Sequence, residues 1–522
     1  AEAICVKDGL IQYVGSADIA RSMCDEKTEI IDFGNNSIYP GFMEAHCHPM
    51  GAGKMLDRDA IADVSAGENL EEYVEIMKAF VEAHPGRARY VGTGFKEREV
   101  QPNAAMLDAL GVDAAIMIMS VDGHSAWLNT KALEAYNIGQ NAIDEWGTDQ
   151  VRVDAEGKPT GYVSEGPVFY IRAVTPPDPE MAAKALLKSQ EFFFSKGYTA
   201  IYDAGLELVE KTALESYDIL TKSGDLKLRT YVGSLIDENC EDIPAAVENI
   251  AAMQKEHNSE YFKIIGVKSF TDGVIEAHTG LLMEDYDDSP GYKGVARMHE
   301  HDKLVQLYTK AAECGMNVHV HTVGDGAIHV NLDAIEEVAA KTGLMNQRNV
   351  LAHLQLVKKE DIKRFADLNV MAAVAPLWAP KNVDYFRQEV EYVGSERAEG
   401  AYPIKSFFEA GANVVYHTDF PVSPLIGVAN AVYTGEKRKY PADPDTLVRA
   451  SDEFVSRYQS LCAMTKNVAY MWHEEDRLGT LENGKVANMS VFDKDFLLDD
   501  IEEVGKAEVV CTIVDGDIVY KA

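Results

Sequence analysis

The sequence is short of positive charge. Lysine and arginine together number 49 against 85 aspartates and glutamates, a formal net charge of −36. A chain this acidic repels phosphate backbones, which argues against a nucleic-acid partner. No acidic run is long enough to read as a tail, so the charge belongs to a solvated surface. Long apolar runs are missing too: no stretch reaches ~18 apolar residues, so no membrane span is expected. The first residues show no basic segment followed by an apolar one, so no secretory leader is expected. The seven cysteines stand far apart with no CxxC pair, which points to free thiols in a reducing, cytoplasmic setting. A GxSxG element is absent as well, which removes the usual serine-nucleophile arrangement.

What is present is ample core material. Hydrophobic residues make up 46% of 522 residues, which suits one large domain plus a smaller one. Both ends read as short strands joined by tight turns: Ile4 to Val6, Lys7-Asp8-Gly9, Ile11 to Val14 and Glu29 to Asp32 at one end; Met489 to Phe492, Val509 to Val514, Asp515-Gly516 and Ile518 to Tyr520 at the other. They are expected to form one small β-sandwich domain from 1–39 and 475–522. Between them, β-rich apolar runs alternate with helical patterns, the mark of a parallel sheet with crossover helices. Eight such runs end at His46, Asp203, Gly233, Lys268, His321, His353, Pro376 and Asp419. The expectation is an α/β fold, a (β/α)8 TIM barrel over 40–474. The first interval is too long for one crossover. It carries its own helix (Leu70 to Ala83) and strands (Tyr90 to Thr93, Ala115 to Ser120), so 50–190 is expected to be an α+β insertion after strand one, lying over the barrel mouth.

Active sites of such barrels lie at the C-terminal ends of the strands. Strand one ends His46-Cys47-His48, and side chains two apart share a face. Both imidazoles can therefore point inward at one ion, while Cys47 reads as a small buried residue. Strand five ends at His321, strand six at His353 and strand eight at Asp419. Four histidines and an aspartate, each closing an apolar run, are hard to explain as packing, and imidazoles suit zinc or a similar divalent ion. Lys268 closes strand four. An ammonium inside a barrel is costly unless paired. Capture of carbon dioxide would turn it into a carbamate able to bridge two metals; the alternative is a lysine bonded to a carboxylate such as Asp272. His319 reads as barrel packing, and His417, His278 and His329 carry no argued role.

These segments resemble the amidohydrolase superfamily, and within it the branch that contains N-substituted formamide deformylase. The matching residues are His46-Cys47-His48, Asp122 to Asn129, Lys268 to Gly273, Val320 to Asp325, Leu351 to Leu356, Thr418 to Pro421 and Glu475 to Lys485. They run in the expected order over nearly the whole chain. The resemblance implies a barrel with a sandwich built from both termini. It implies that His46, His48, Lys268, His321 and His353 are metal ligands and that Asp419 is the catalytic acid/base. One or two divalent ions, zinc foremost, would be held. His124, in the insertion, would face the substrate, as would Trp378 and Asp272. The reaction implied is hydrolysis of a small amide-type molecule, N-formyl, N-acyl or cyclic; a deaminase, an esterase or lactonase, or an isomerase could use the same ligands. A homo-oligomer is compatible with this reading. There are departures: Phe420 replaces the family's frequent Trp, Leu377-Trp378 stand where a His often follows the Pro, and Gly326 stands where Arg is common. They imply a more apolar or bulkier substrate than average.

Overall fold

A computed structural model describes the chain apart from residues 57–60, 97–101, 121–124, 175–177, 206–209, 344–345, 423–425, 442, 444–445 and 451, and the side chains of 169, 172–174, 210 and 383–384. Two compact units emerge: Ala1–His48 with Gln190–Glu207 and Leu220–Ala522, and Pro49–Ser189 with Leu208–Ile219.

The first unit is organised by an eight-stranded sheet of Phe42–Cys47, Tyr198–Asp203, Arg229–Leu235, Phe262–Phe270, Asn317–Thr322, Val350–His353, Met371–Val374 and Asn413–Tyr416, in that spatial order. Every neighbouring pair is parallel. The first, second, sixth and seventh strands are buried at every position, as expected of a parallel sheet covered on both faces. The crossover helices show why: His301–Glu313 buries Leu304, Leu307, Tyr308 and Ala311, a stripe at i, i+3, i+4 and i+7. The sheet curls into a nearly closed (β/α)8 barrel. Among the described residues no ladder joins the first and eighth strands, and the gap is crossed instead by backbone bonds from Asp419 N to His46 O (3.0 Å) and from His48 N to Phe420 O (2.8 Å).

Both ends of the chain contribute further sheets. Ser37–Pro40 joins Met489–Phe492, Val509–Val514 and Asp517–Lys521 in an antiparallel sheet, and Ala3–Lys7 pairs with Leu10–Gly15. Ile11, Ala487, Met489, Val491, Cys511 and Ile513 form their shared core. The short strand expected at Glu29 to Asp32 does not form. A strand exists through its pairing, and Ser37–Pro40 takes the edge beside Met489–Phe492, so Ile30 is left 62% exposed. Two barrel strands also stop short of their expected ends. The seventh finishes at Val374, after which Pro376–Trp378 wind into a 3-10 turn, because proline has no N–H to donate to a ladder. The eighth finishes at Tyr416, and Asp419 turns out of it at a φ of 56°.

The second unit has its own sheet, in the order Ala62–Asp63, Arg89–Phe95, Ala115–Ser120, Ser125–Leu128, Pro159–Ser164, Val151–Val153. Helix Leu70–Ala83 starts where the Asn69 side chain accepts from Glu72 N, and it buries Tyr73, Met77, Phe80 and Val81, which pack with Tyr90, Ile116, Ile118 and Trp127. No helix of the described residues is long and apolar enough to cross a membrane.

Gly266 marks a close approach within the barrel. A Cβ built there would lie 2.0 Å from Asn317 Oδ1 and 2.5 Å from Asn317 O, and Gly266 and Asn317 are ladder partners. The backbone oxygen cannot rotate away. Gly266→Ala is therefore expected to cost roughly 1–3 kcal/mol, the usual range for overpacking, read as a fall in the midpoint of denaturant unfolding.

Candidate metal centre

The centre is built around the open side of the barrel. Glu44 and His46 alternate onto one face of the first strand, and both are buried. The Glu44 carboxylate accepts from His46 N (3.1 Å), Thr418 N (3.0 Å) and Thr418 Oγ1 (3.0 Å). It thereby ties the first strand to the loop that follows the eighth. Burial pushes its carboxyl up to about 8, against the pull of the Thr418 and His46 donors. That clamp sets Asp419 beside the two histidines: His48 Nε2 lies 3.1 Å and His46 Nε2 3.5 Å from Asp419 Oδ1.

The remaining imidazoles come from the fifth, sixth and eighth strands. The ring of His353 lies 4.9 Å from that of His46, 4.3 Å from that of His321 and 5.0 Å from that of His417. His353 sits at a φ of 82°, a backbone conformation that costs a non-glycine residue energy and tends to gather at functional sites. Trp378 stacks on it almost parallel, centroids 5.5 Å apart at 9°. His321 Nε2 donates to Gly273 O at 3.0 Å, which leaves the lone pair on Nδ1. Lys268 is fully buried, with Nζ 4.6 Å from the centre of the Phe270 ring.

Electrostatics keep these rings neutral. Burial, then the Lys268 charge, holds His46 and His319 well below the usual imidazole range. Burial and the neighbouring histidines do the same to His353. His321 is pushed down to about 3 and His417 to about 4, burial leading in both. Asp419 goes the other way. Burial would raise it, but the hydrogen bond and charge of His48, with His417 and Lys268, outweigh that and hold it below the usual carboxylate range. The result is neutral nitrogen donors around one carboxylate anion.

This arrangement fits a metal ion. Donor atoms of His46, His353 and Asp419 lie within 4.8 Å of one another. Neither ring nitrogen of His353 or His417 has a hydrogen-bond partner among the described residues. A buried polar atom left so costs about 1–3 kcal/mol, which a cation would offset. Imidazole nitrogens and a carboxylate oxygen are ligands that zinc and similar divalent ions accept. His48 lies beyond this trio against Asp419, and His321 lies beyond it against His353.

Some residues stand elsewhere than the sequence suggests. Asp272, expected to meet substrate, is spent on the backbone. It is 1% exposed, and its carboxylate accepts from Val323 N (3.0 Å), Gly324 N (2.8 Å) and Leu281 N (2.9 Å), so it anchors the loop after the fourth strand to the loop after the fifth. His124 falls outside the described residues. Glu44, His319 and His417 were not read as site residues, yet all three belong to the cluster. The alternation that places His46 and His321 inward also places Glu44 and His319 inward, and that was the available signal.

The family model of the amidohydrolase family matches residues 29–520, and the chain belongs to that family. It is 26% identical over 531 residues to the putative amidohydrolase YtcJ of Bacillus subtilis, covering 100% of this chain and 96% of that protein. It is 23% identical over 566 residues to the N-substituted formamide deformylase of Arthrobacter pascens, covering 100% and 95%. Among solved structures, an uncharacterized metal-dependent hydrolase from Pyrococcus horikoshii superposes with a TM-score of 0.77 at 22% identity, over 95% of this chain and 94% of that one. At this identity the superposition speaks for the fold.

The Glu44 clamp yields a stability test. Glu44→Ala leaves His46 N, Thr418 N and Thr418 Oγ1 unmatched and is expected to cost about 3 kcal/mol or more, at roughly 1–3 kcal/mol for each stranded buried donor. Glu44→Gln, which keeps an acceptor oxygen and offers Thr418 Oγ1 a donor, is expected to lose less than about 1 kcal/mol. Urea unfolding of both variants checks the difference.

Proposed function

We propose that this chain is a metal-dependent hydrolase that cleaves the C–N bond of a small amide-type molecule, N-formyl, N-acyl or cyclic. The observation that carries the reading is the convergence of buried neutral imidazoles on one ionised carboxylate, His46, His353 and Asp419, at the end of a barrel. Membership of the amidohydrolase family, and relatives that include a formamide deformylase, support the choice of bond.

His46, His48, His321 and His353 would hold the ion or ions, with Lys268 serving as a bridging ligand if carboxylated; zinc suits this donor set. When bound, the cation supplies a source of hydroxide at neutral pH and polarises a carbonyl group. Asp419 accepts the proton of the attacking water at its carboxylate oxygen. Its depressed pKa keeps it ionised for that step, and His48, 3.1 Å away, holds it in place. As the C–N bond of the tetrahedral adduct breaks, Asp419 returns the proton to the leaving nitrogen. The developing oxyanion needs a positioned donor, the role proposed for His124. Trp378 walls one side with an aromatic face parallel to His353, which suits an apolar or planar substituent on the substrate.

The test combines metal removal with one substitution. Chelator-stripped protein is expected to be inert towards a panel of N-formyl amines, N-acyl amino acids and cyclic amides, and to regain activity with zinc. Asp419→Asn is expected to fold and still take up zinc through the imidazoles, while turnover falls about 10²–10⁴-fold, the usual worth of a positioned acid/base. Undiminished turnover in Asp419→Asn removes that residue from the chemistry. Turnover of esters or amino-heterocycles alone replaces the amide assignment.

A further inference from the structure

His319 sits one layer below His321 on the same face of the fifth strand, fully buried. Its Nε2 lies 2.8 Å from Nδ1 of His46. The Tyr202 ring stacks against it, centroids 4.5 Å apart at 13°. Its own Nδ1 has no hydrogen-bond partner among the described residues. A bond between two neutral imidazoles contains one proton, which belongs to one ring or the other. If His319 donates, His46 Nδ1 is the acceptor, the His46 proton sits on Nε2, and that proton faces Asp419 Oδ1 at 3.5 Å. If His46 donates through Nδ1, its Nε2 presents a lone pair towards Asp419 and His353.

We propose that His319 is the positioning residue for His46: by accepting from His46 Nδ1 it selects the tautomer whose Nε2 lone pair is offered to a divalent cation. This rests on the metal-site reading above. Metal-ligating histidines commonly give their second N–H to a carboxylate or a carbonyl; here the nearest acceptor is another imidazole. Packing alone does not demand a nitrogen at that point. The face of Tyr202 would stack as well on a phenyl ring, and the buried Nδ1 of His319 gains nothing from its surroundings. Only the contact with His46 uses the nitrogen.

The test titrates zinc into chelator-stripped, full-length protein against a chromophoric chelator, for wild type, His319→Phe and His319→Gln. Phenylalanine keeps a ring for Tyr202 and removes the acceptor; glutamine places a carbonyl oxygen near the position of Nε2. His319→Phe is expected to weaken zinc binding about 10–100-fold, the usual cost of losing such a support, with its metal-free unfolding midpoint close to wild type. His319→Gln is expected to recover binding to within about threefold of wild type. Equal zinc affinity in His319→Phe and wild type overturns the proposal while leaving the metal site standing. Absence of zinc binding by wild type overturns the metal reading and this inference with it. Nitrogen-15 histidine spectra of zinc-loaded wild type give a readout independent of the variants: a proton on His46 Nδ1 is expected, and a proton on its Nε2 overturns the proposal.

Discussion

A parallel barrel must close on itself, and in this protein the closure is made by the same residues that form the candidate metal centre. The first and eighth strands meet through Asp419 N to His46 O, through His48 N to Phe420 O, and through the carboxylate of Glu44 on Thr418. A backbone N–H or C=O buried without a partner is expensive, so these bonds stabilise the fold whether or not a ligand is present. Because they involve His46, His48 and Asp419 themselves, the same bonds bring a carboxylate within 3.5 Å of both imidazoles. Fold closure and site assembly are one event. Asp419 leaves strand geometry at this junction, with a positive φ.

The desolvation that makes a barrel interior a poor place for charge becomes useful at this end of it. Imidazole rings lie 4.3–5.2 Å apart between His46, His319, His321, His353 and His417. As cations they would repel one another and the nearby Lys268 ammonium, in surroundings with little water to screen them. Burial resolves this by keeping the rings neutral, and a neutral ring has a lone pair to give. The same neighbours act in the opposite sense on Asp419: His48 and Lys268 favour its anion. One environment thus sets two kinds of group into the states a cation requires.

How much of this could be read from the sequence depends on the range of the interaction concerned. The barrel was legible because each strand and helix carries its own period, and His46, His321 and His353 because each closes an apolar run. Helix Leu70–Ala83 was legible from its own helical pattern. What escaped are roles defined by a partner far along the chain. Glu44 is two residues from His46, but its partner Thr418 is 374 positions away. His319 is two residues from His321, but it answers to His46, 273 positions away. A local pattern gives the face on which a side chain lies and not the group it meets there. Asp272 illustrates the same limit: the backbone amides that occupy its carboxylate belong to loops whose course the sequence does not reveal.

Those amides explain a further feature of the mouth. Asp272 collects N–H groups from the loop after its own strand and from the loop after the fifth strand. Gly324 makes their contact close: a Cβ there would lie 2.1 Å from Leu281 O. His321 adds to the junction through Gly273 O. The nitrogen that His321 gives to the loop is the one it cannot give to a cation, so the loop fixes which face of that ring looks into the barrel. His46 has His319 as its counterpart, 2.8 Å from Nδ1, though an imidazole can donate as well as accept. At both histidines the nitrogen free to meet a cation would be set by what holds the opposite nitrogen, a carbonyl of the loop for His321 and the His319 ring for His46.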